Sequence, residues 1–93
     1  MFEINHYFEG KVSSLAYESV EGKSTIGVMQ DGEYEFGTSK HEKMTVIQGK
    51  LTIQRKGNSD WESYGATESF EVEANSSFKV KSEGNTSYLC QYS

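Results

Sequence analysis

The sequence predicts a single all-β domain, a small barrel or sandwich of about eight to ten short strands. Three observations predict it. Apolar and polar residues alternate with period two over short stretches, turn-forming residues separate those stretches at regular intervals, and no stretch carries the apolar period of an amphipathic helix. The 93 residues suffice for one domain spanning 1–93, with no internal repeat, linker or low-complexity segment.

The elements follow in order. Val12 to Tyr17 reads as a first strand, closed by the turn Glu21-Gly22-Lys23. Thr25 to Met29 reads as the next and ends at Gln30-Asp31-Gly32, where Asp-Gly predicts a hairpin because both residues accept positive φ. Tyr34 and Phe36 alternate with Glu33 and Glu35, the pattern of a half-buried strand. Met44 to Ile47, Gln48-Gly49 and Leu51 to Ile53 predict a second hairpin. Residues 56–60 form an exposed loop into Trp61, and Phe70 and Val72 then share one face of a strand. Phe78 and Val80 share a face while Lys79 and Lys81 turn to solvent. Glu83-Gly84-Asn85 leads into the last strand, Ser87 to Tyr92.

Composition narrows the partners. Fourteen acidic residues against nine basic ones give a formal charge of −5, and no Lys/Arg cluster supplies the basic face that polymeric nucleic acid requires. Small anions stay possible, since a lysine and a few amides can hold a phosphate. Cys90 is the only cysteine, which precludes an internal disulfide and a multi-thiolate zinc site and suits a reducing compartment. The opening MFEINHYFEG has neither a basic nor an apolar leader region, and no stretch approaches a membrane span. The expectation is a cytoplasmic protein with no membrane partner.

The most informative stretch is HEKMTVIQGKL, residues 41–51. Glu42, the apolar Met44, Val46 and Ile47, and Gly49 resemble the second half of the first cupin motif, a carboxylate opening an inward strand and a glycine turning to the next. SFEVEANSSFKV, residues 69–80, resembles the second cupin motif. The resemblance implies a jelly-roll β-barrel. The departures are as telling: where cupins place two histidines, this chain has Glu35, Phe36, Gly37 and Thr38, and the second motif's proline, glycine and histidine fall on Glu73, Asn75 and Phe78. Of the four usual ligands only Glu42 remains, and one carboxylate does not make a transition-metal site. No metal is expected.

The ordered set YFEGKV, GVMQDGEYEF, EKMTVIQGKL, Trp61 after an acidic loop, and TSYLCQY is similar to the small metal-free bacterial cupins of the pyrimidine/purine nucleoside phosphorylase family. That resemblance implies phosphorolysis of purine and pyrimidine nucleosides to free base and ribose 1-phosphate, with broad base tolerance. Orthophosphate is then a co-substrate and no cofactor is needed, and the assembly is a homodimer.

Such a reaction needs charge stabilisation at the ribose, faces on which to stack the base, and donors for phosphate. Glu42 is the candidate for the first, as a carboxylate near an oxocarbenium-like sugar, against a structural role satisfying donors inside the barrel. Tyr34, Phe36, Phe78, Tyr88 and Tyr92 are the candidates for the second, against simple core packing. Phe36 and Phe78 stand at or beside former ligand positions. Thr38, Ser39 and Lys40, just before Glu42, and Lys11 are the phosphate candidates. Arg55 reads as a surface residue, Cys90 as a packed hydrophobe rather than a nucleophile, and His6 as a surface residue rather than a general acid. Two alternatives stay open: a non-catalytic metal-free cupin binding a small sugar or nucleotide, and a divergent metal cupin using Glu42 with His41 or His6.

Overall fold

The computed structural model describes residues 2–93; the expected domain also includes Met1, which lies outside them. Among the described residues there is no helix, and ten strands make up the chain: β1 (Glu3–Tyr7), β2 (Val12–Ser19), β3 (Gly22–Met29), β4 (Gly32–Thr38), β5 (Glu42–Gln48), β6 (Lys50–Arg55), β7 (Glu62–Gly65), β8 (Ser69–Val72), β9 (Ser76–Ser82) and β10 (Thr86–Tyr92). They form two antiparallel sheets, one in the order β1-β2-β3-β10-β5-β8, the other β4-β9-β6-β7. Strand β1 escaped the sequence reading for a physical reason. It is an edge strand pairing only with β2, its residues are nearly all exposed, and so its sequence lacks the alternation that burial imposes.

Both hairpins expected from turn chemistry are corrected by the sheet order. Asp31-Gly32 joins β3 to β4 and Gly49 joins β5 to β6, yet each turn carries the chain from one sheet to the other. Gly49 does take the positive φ of a tight turn (101°), and a Cβ there would lie 2.9 Å from the Asn85 carbonyl. Turn chemistry sets the local bend; it does not decide whether the next strand pairs alongside or crosses the interior. The true hairpins are β1–β2, β2–β3 and β6–β7.

Register then defines one interior with two ends. Toward one end the inward residues are Val12, Met29, Val46, Leu51, Ile53 and Val80, none of which exposes any surface. Burying each such side chain contributes roughly 1.5–3 kcal/mol. Between them Ser82 and Thr86 lie hydroxyl to hydroxyl at 2.8 Å, with Thr86 also donating to the Lys50 carbonyl. Toward the other end the inward positions are Thr25, Cys90, Tyr92 and Glu42 on the larger sheet and Phe36 and Phe78 on the smaller, and these border an open cavity.

Candidate active site

At that open end the two sheets enclose a cavity of about 150 Å³. Its walls come from seven strands, five of which supply most of the lining. Thr25 comes from β3, Phe36 from β4, Glu42 and Met44 from β5, Phe78 from β9, and Tyr88, Cys90 and Tyr92 from β10. Phe36 and Phe78 stack at 5.8 Å between centroids. Across from them the Tyr88 ring lies over Gly27, so closely that a Cβ at Gly27 would sit 2.5 Å from the ring. A side chain on that glycine would force the tyrosine out of its place in the wall.

Glu42 is the one carboxylate in this lining. It opens β5 between Val72 of β8 and Tyr92 of β10. The Cys90 thiol donates to its Oε1 at 3.4 Å. Burial raises the Glu42 pKa above the ordinary carboxylate value, while the thiol and the nearby His41 pull it part of the way back. Burial likewise pushes the Cys90 thiol up to about 12, with the Glu42 charge adding to the effect, so the sulfur stays protonated and donates rather than attacks. Tyr88 and Tyr92 are also raised, chiefly by burial, and remain neutral phenols. The Tyr92 hydroxyl lies 3.3 Å from Thr25 Oγ1. No lysine, arginine or histidine lines the cavity. The arrangement offers one acid of elevated pKa, several neutral hydroxyl and thiol donors, and flat apolar faces. It can stack a planar ring and stabilise positive charge developing near Glu42.

The structure brings five of the residues singled out from sequence to this one place, namely Glu42, Phe36, Phe78, Tyr88 and Tyr92. Tyr34 is set apart. Its ring packs against Phe8 at 5.0 Å and its hydroxyl donates to the Gln30 carbonyl at 2.8 Å. The four phosphate candidates also lie outside the lining. Thr38 Oγ1 donates to the Glu73 carbonyl and accepts from the Ser76 amide, so its hydroxyl is fully engaged in tying β4 to the turn before β9. Ser39 and Lys40 are exposed beyond the end of β4. Lys11 borders a separate depression with Phe8, Glu9, Glu33 and Tyr34.

Tyr7, Ser14, Thr25, Met29, Gly37, Met44 and Cys90 complete the lining without having been read as site residues. For the β10 and β5 members the alternation that placed Tyr88, Tyr92 and Glu42 inward was already a sufficient signal. Tyr7 carried none, because it belongs to the edge strand.

The ligand positions of a metal cupin do not fit a metal here. Phe36, Gly37 and Phe78 bring no donor, and among the described residues no group of three or more His, Cys, Asp and Glu comes together. His41 turns to Glu71 at 3.1 Å and to Ser93 at 3.1 Å, and His6 hydrogen-bonds Ser13 on the outer face of its sheet. Arg55, read as a solvated residue, instead binds Glu62 at 3.1 Å and the Glu71 carbonyl, bridging β6 to β7 and β8.

Residues 2–92 match the family model described as pyrimidine/purine nucleoside phosphorylase. A protein of that name from Marinobacter nauticus is 52% identical over 92 residues, covering 99% of each chain. A crystal structure of a Vibrio parahaemolyticus protein described as of unknown function is 44% identical, with a TM-score of 0.96 over 100% of this chain and 99% of that one. An RmlC-like cupin from Shewanella frigidimarina, at 13% identity and a TM-score of 0.73 over 98% of this chain and 82% of that one, shares the fold.

Proposed function

Because the chain belongs to the pyrimidine/purine nucleoside phosphorylase family, we propose that it is a cytoplasmic enzyme that phosphorolyses both purine and pyrimidine nucleosides. The observation that carries this reading is the half-buried carboxylate of Glu42 facing a cavity walled by aromatic rings and, among the described residues, free of cations. In the reaction the glycosidic C1′–N bond breaks and its electron pair leaves with the base. A phosphate oxygen bonds to C1′, and the proton that phosphate gives up ends on the base nitrogen. The products are the free base and ribose 1-phosphate.

The residues divide the work. As the C–N bond lengthens, positive charge gathers on the sugar, and the Glu42 carboxylate stabilises it in a site where burial strengthens the attraction. Phe36 and Phe78 supply a stacking face indifferent to which base is bound, because every base has a π-face. That is the physical basis for breadth between purines and pyrimidines. The neutral Tyr92 hydroxyl and Thr25 can hold the ribose hydroxyls.

A homodimer belongs to the same reading. Ile4, Leu15, Ile26 and Leu89 stand in one register row across the outside of the larger sheet, and Val28 and Ile47 lie beside it with about half their surface exposed. An apolar sheet face of this kind suits a second copy, and a solution mass near twice 10.5 kDa is what that assembly requires.

The decisive experiment incubates the protein with uridine and, separately, adenosine, with and without inorganic phosphate. Free base and ribose 1-phosphate should form from both nucleosides only when phosphate is present. Binding of nucleoside with no phosphate-dependent release would instead identify a non-catalytic ligand-binding cupin.

A further inference from the structure

A phosphate dianion has no place inside the cavity itself. The walls hold no cation, and Glu42 would repel it across a medium of low dielectric. The cavity does not end at its own walls, however. Tyr7, Thr25 and Tyr92 are shared with a wider, open depression of about 420 Å³, into which the interior of the barrel continues. Among the described residues lining that depression, Lys23 is the one cation.

The position of Lys23 follows from register. On β3 the inward positions are Met29, Gly27 and Thr25, and the next residue of that parity is Lys23, exposed where the strand enters the sheet. On β10 the partner of Thr25 is Cys90 and the ladder ends with Gln91 opposite Ser24, and the next residue of each strand, Tyr92 and Lys23, lines the depression. Tyr92 in turn pairs with Glu42. Lys23, Tyr92 and Glu42 therefore lie on three adjacent strands at the open end. The ion pairs among the described residues are His41–Glu71 and Arg55–Glu62, which leaves the Lys23 ammonium without one. The Asn5 amide and the Thr25 hydroxyl are neutral donors belonging to residues that line the same depression. Glu18, the register partner of Lys23 on β2, is the one carboxylate of this depression and competes with an incoming anion.

We propose that Lys23, with Asn5, forms the orthophosphate subsite. The inference rests on the phosphorylase reading and gives that reading a direction. The base stacks in the inner cavity, the ribose lies at the junction marked by Thr25 and Tyr92 beside Glu42, and phosphate approaches C1′ from the outer depression. A lysine suits this task as a mobile point charge that can follow phosphate toward the sugar.

The test varies inorganic phosphate at saturating uridine and, separately, uridine at saturating phosphate, with phosphate binding followed in parallel by calorimetry without nucleoside. Lys23→Ala should raise the phosphate KM by about tenfold or more while the uridine KM stays within about twofold, as expected when one charge-assisted contact to one substrate is lost. Lys23→Arg should recover most of the affinity, Glu18→Gln should lower the phosphate KM, and the outward Lys79→Ala should change neither. An unchanged phosphate KM in Lys23→Ala, with the wild type active, overturns the subsite and leaves the phosphorylase reading standing. So does a rise in phosphate KM for Lys11→Ala or Lys40→Ala in its place, or an equal rise in both KM values for Lys23→Ala. A wild type that neither releases base with phosphate nor binds phosphate in the calorimeter overturns both.

Discussion

The two ends of the barrel interior are built from the same strands by the same inward alternation, and they differ in what becomes of their polar groups. At the closed end Ser82 and Thr86 satisfy each other and the Lys50 backbone, surrounded by side chains with no exposure. At the open end Glu42 keeps a single weak thiol donor, and Tyr92, Thr25 and Lys23 face space. A fully satisfied polar pair rigidifies a core, whereas one left with free valence is available to a ligand. The difference teaches that in a chain this small one column of residues does both jobs. The closed end holds the sheets at the spacing from which the open end gapes.

That division predicts that stability and activity separate along the barrel axis. Leu51→Ala, at the closed end, removes a side chain with no exposure and leaves a cavity, so stability should fall by about 2–5 kcal/mol. For a domain of this size that corresponds to a drop in Tm of more than about 10 °C. Thermal unfolding measures it, and kcat measured well below the lowered Tm should stay within a few-fold of wild type. A large loss of kcat in fully folded Leu51→Ala would show that the two ends are one functional unit.

Glu42→Gln is the converse. If the carboxylate stabilises charge on the ribose, kcat/KM should fall about 10²–10³-fold. Stability should not fall with it, and the sign follows from linkage. The folded-state pKa of Glu42 is raised by burial, so the folded protein binds a proton more readily than the unfolded chain between the two pKa values. The penalty for the half-buried charge is then present above the raised folded pKa and is relieved as pH falls through it. The uncharged glutamine escapes the penalty, so the Tm of Glu42→Gln should match or exceed wild type near neutrality. Its advantage should shrink on acidification. Equal losses of Tm and activity would instead make Glu42 a structural carboxylate.

Much of this comparison was legible in the sequence, and the part that was not has a physical cause. Period-two alternation fixes which face a residue takes, which is why Glu42, Phe36, Phe78, Tyr88 and Tyr92 converge as expected. It does not fix how far along the barrel axis a residue sits. Tyr34 shares the inward parity of Phe36 but lies one step closer to the closed end, where its hydroxyl is used by Gln30. Thr38 shares it too, and spends its hydroxyl on the backbone around Glu73 and Ser76. Lys23 was invisible as a site residue because Tyr92, which shares its depression, lies more than sixty residues downstream on β10, and Asn5 and Tyr7 come from an edge strand without an alternation signal. Spacing along one strand carries no information about register with another. The turns hid the topology for a related reason, since Asp31-Gly32 and Gly49 encode a bend and leave its destination to tertiary packing.

The smallest expected effect probes the boundary between the two ends. Cys90 is itself almost wholly buried in the core yet points its thiol at Glu42, so it belongs to both. Cys90→Ala removes a weak donor from the carboxylate, which should raise the Glu42 pKa further, because the charged form loses the hydrogen bond that favoured it. The acidic limb of the kcat/KM–pH profile should move upward, and activity near neutrality should fall by roughly two- to fivefold, in keeping with a thiol's weakness as a donor. Cys90→Ser, which keeps a donor at the same place, should return the limb toward its original position even if its more polar side chain lowers the Tm. A limb that stays fixed in both variants, with Tm falling in each, would assign Cys90 wholly to the packed end. Because burial holds the thiol pKa at about 12, wild-type Cys90 should also resist alkylation near neutral pH in the folded protein. Rapid labelling would show that the open end admits water and reagent more freely than the buried acid implies.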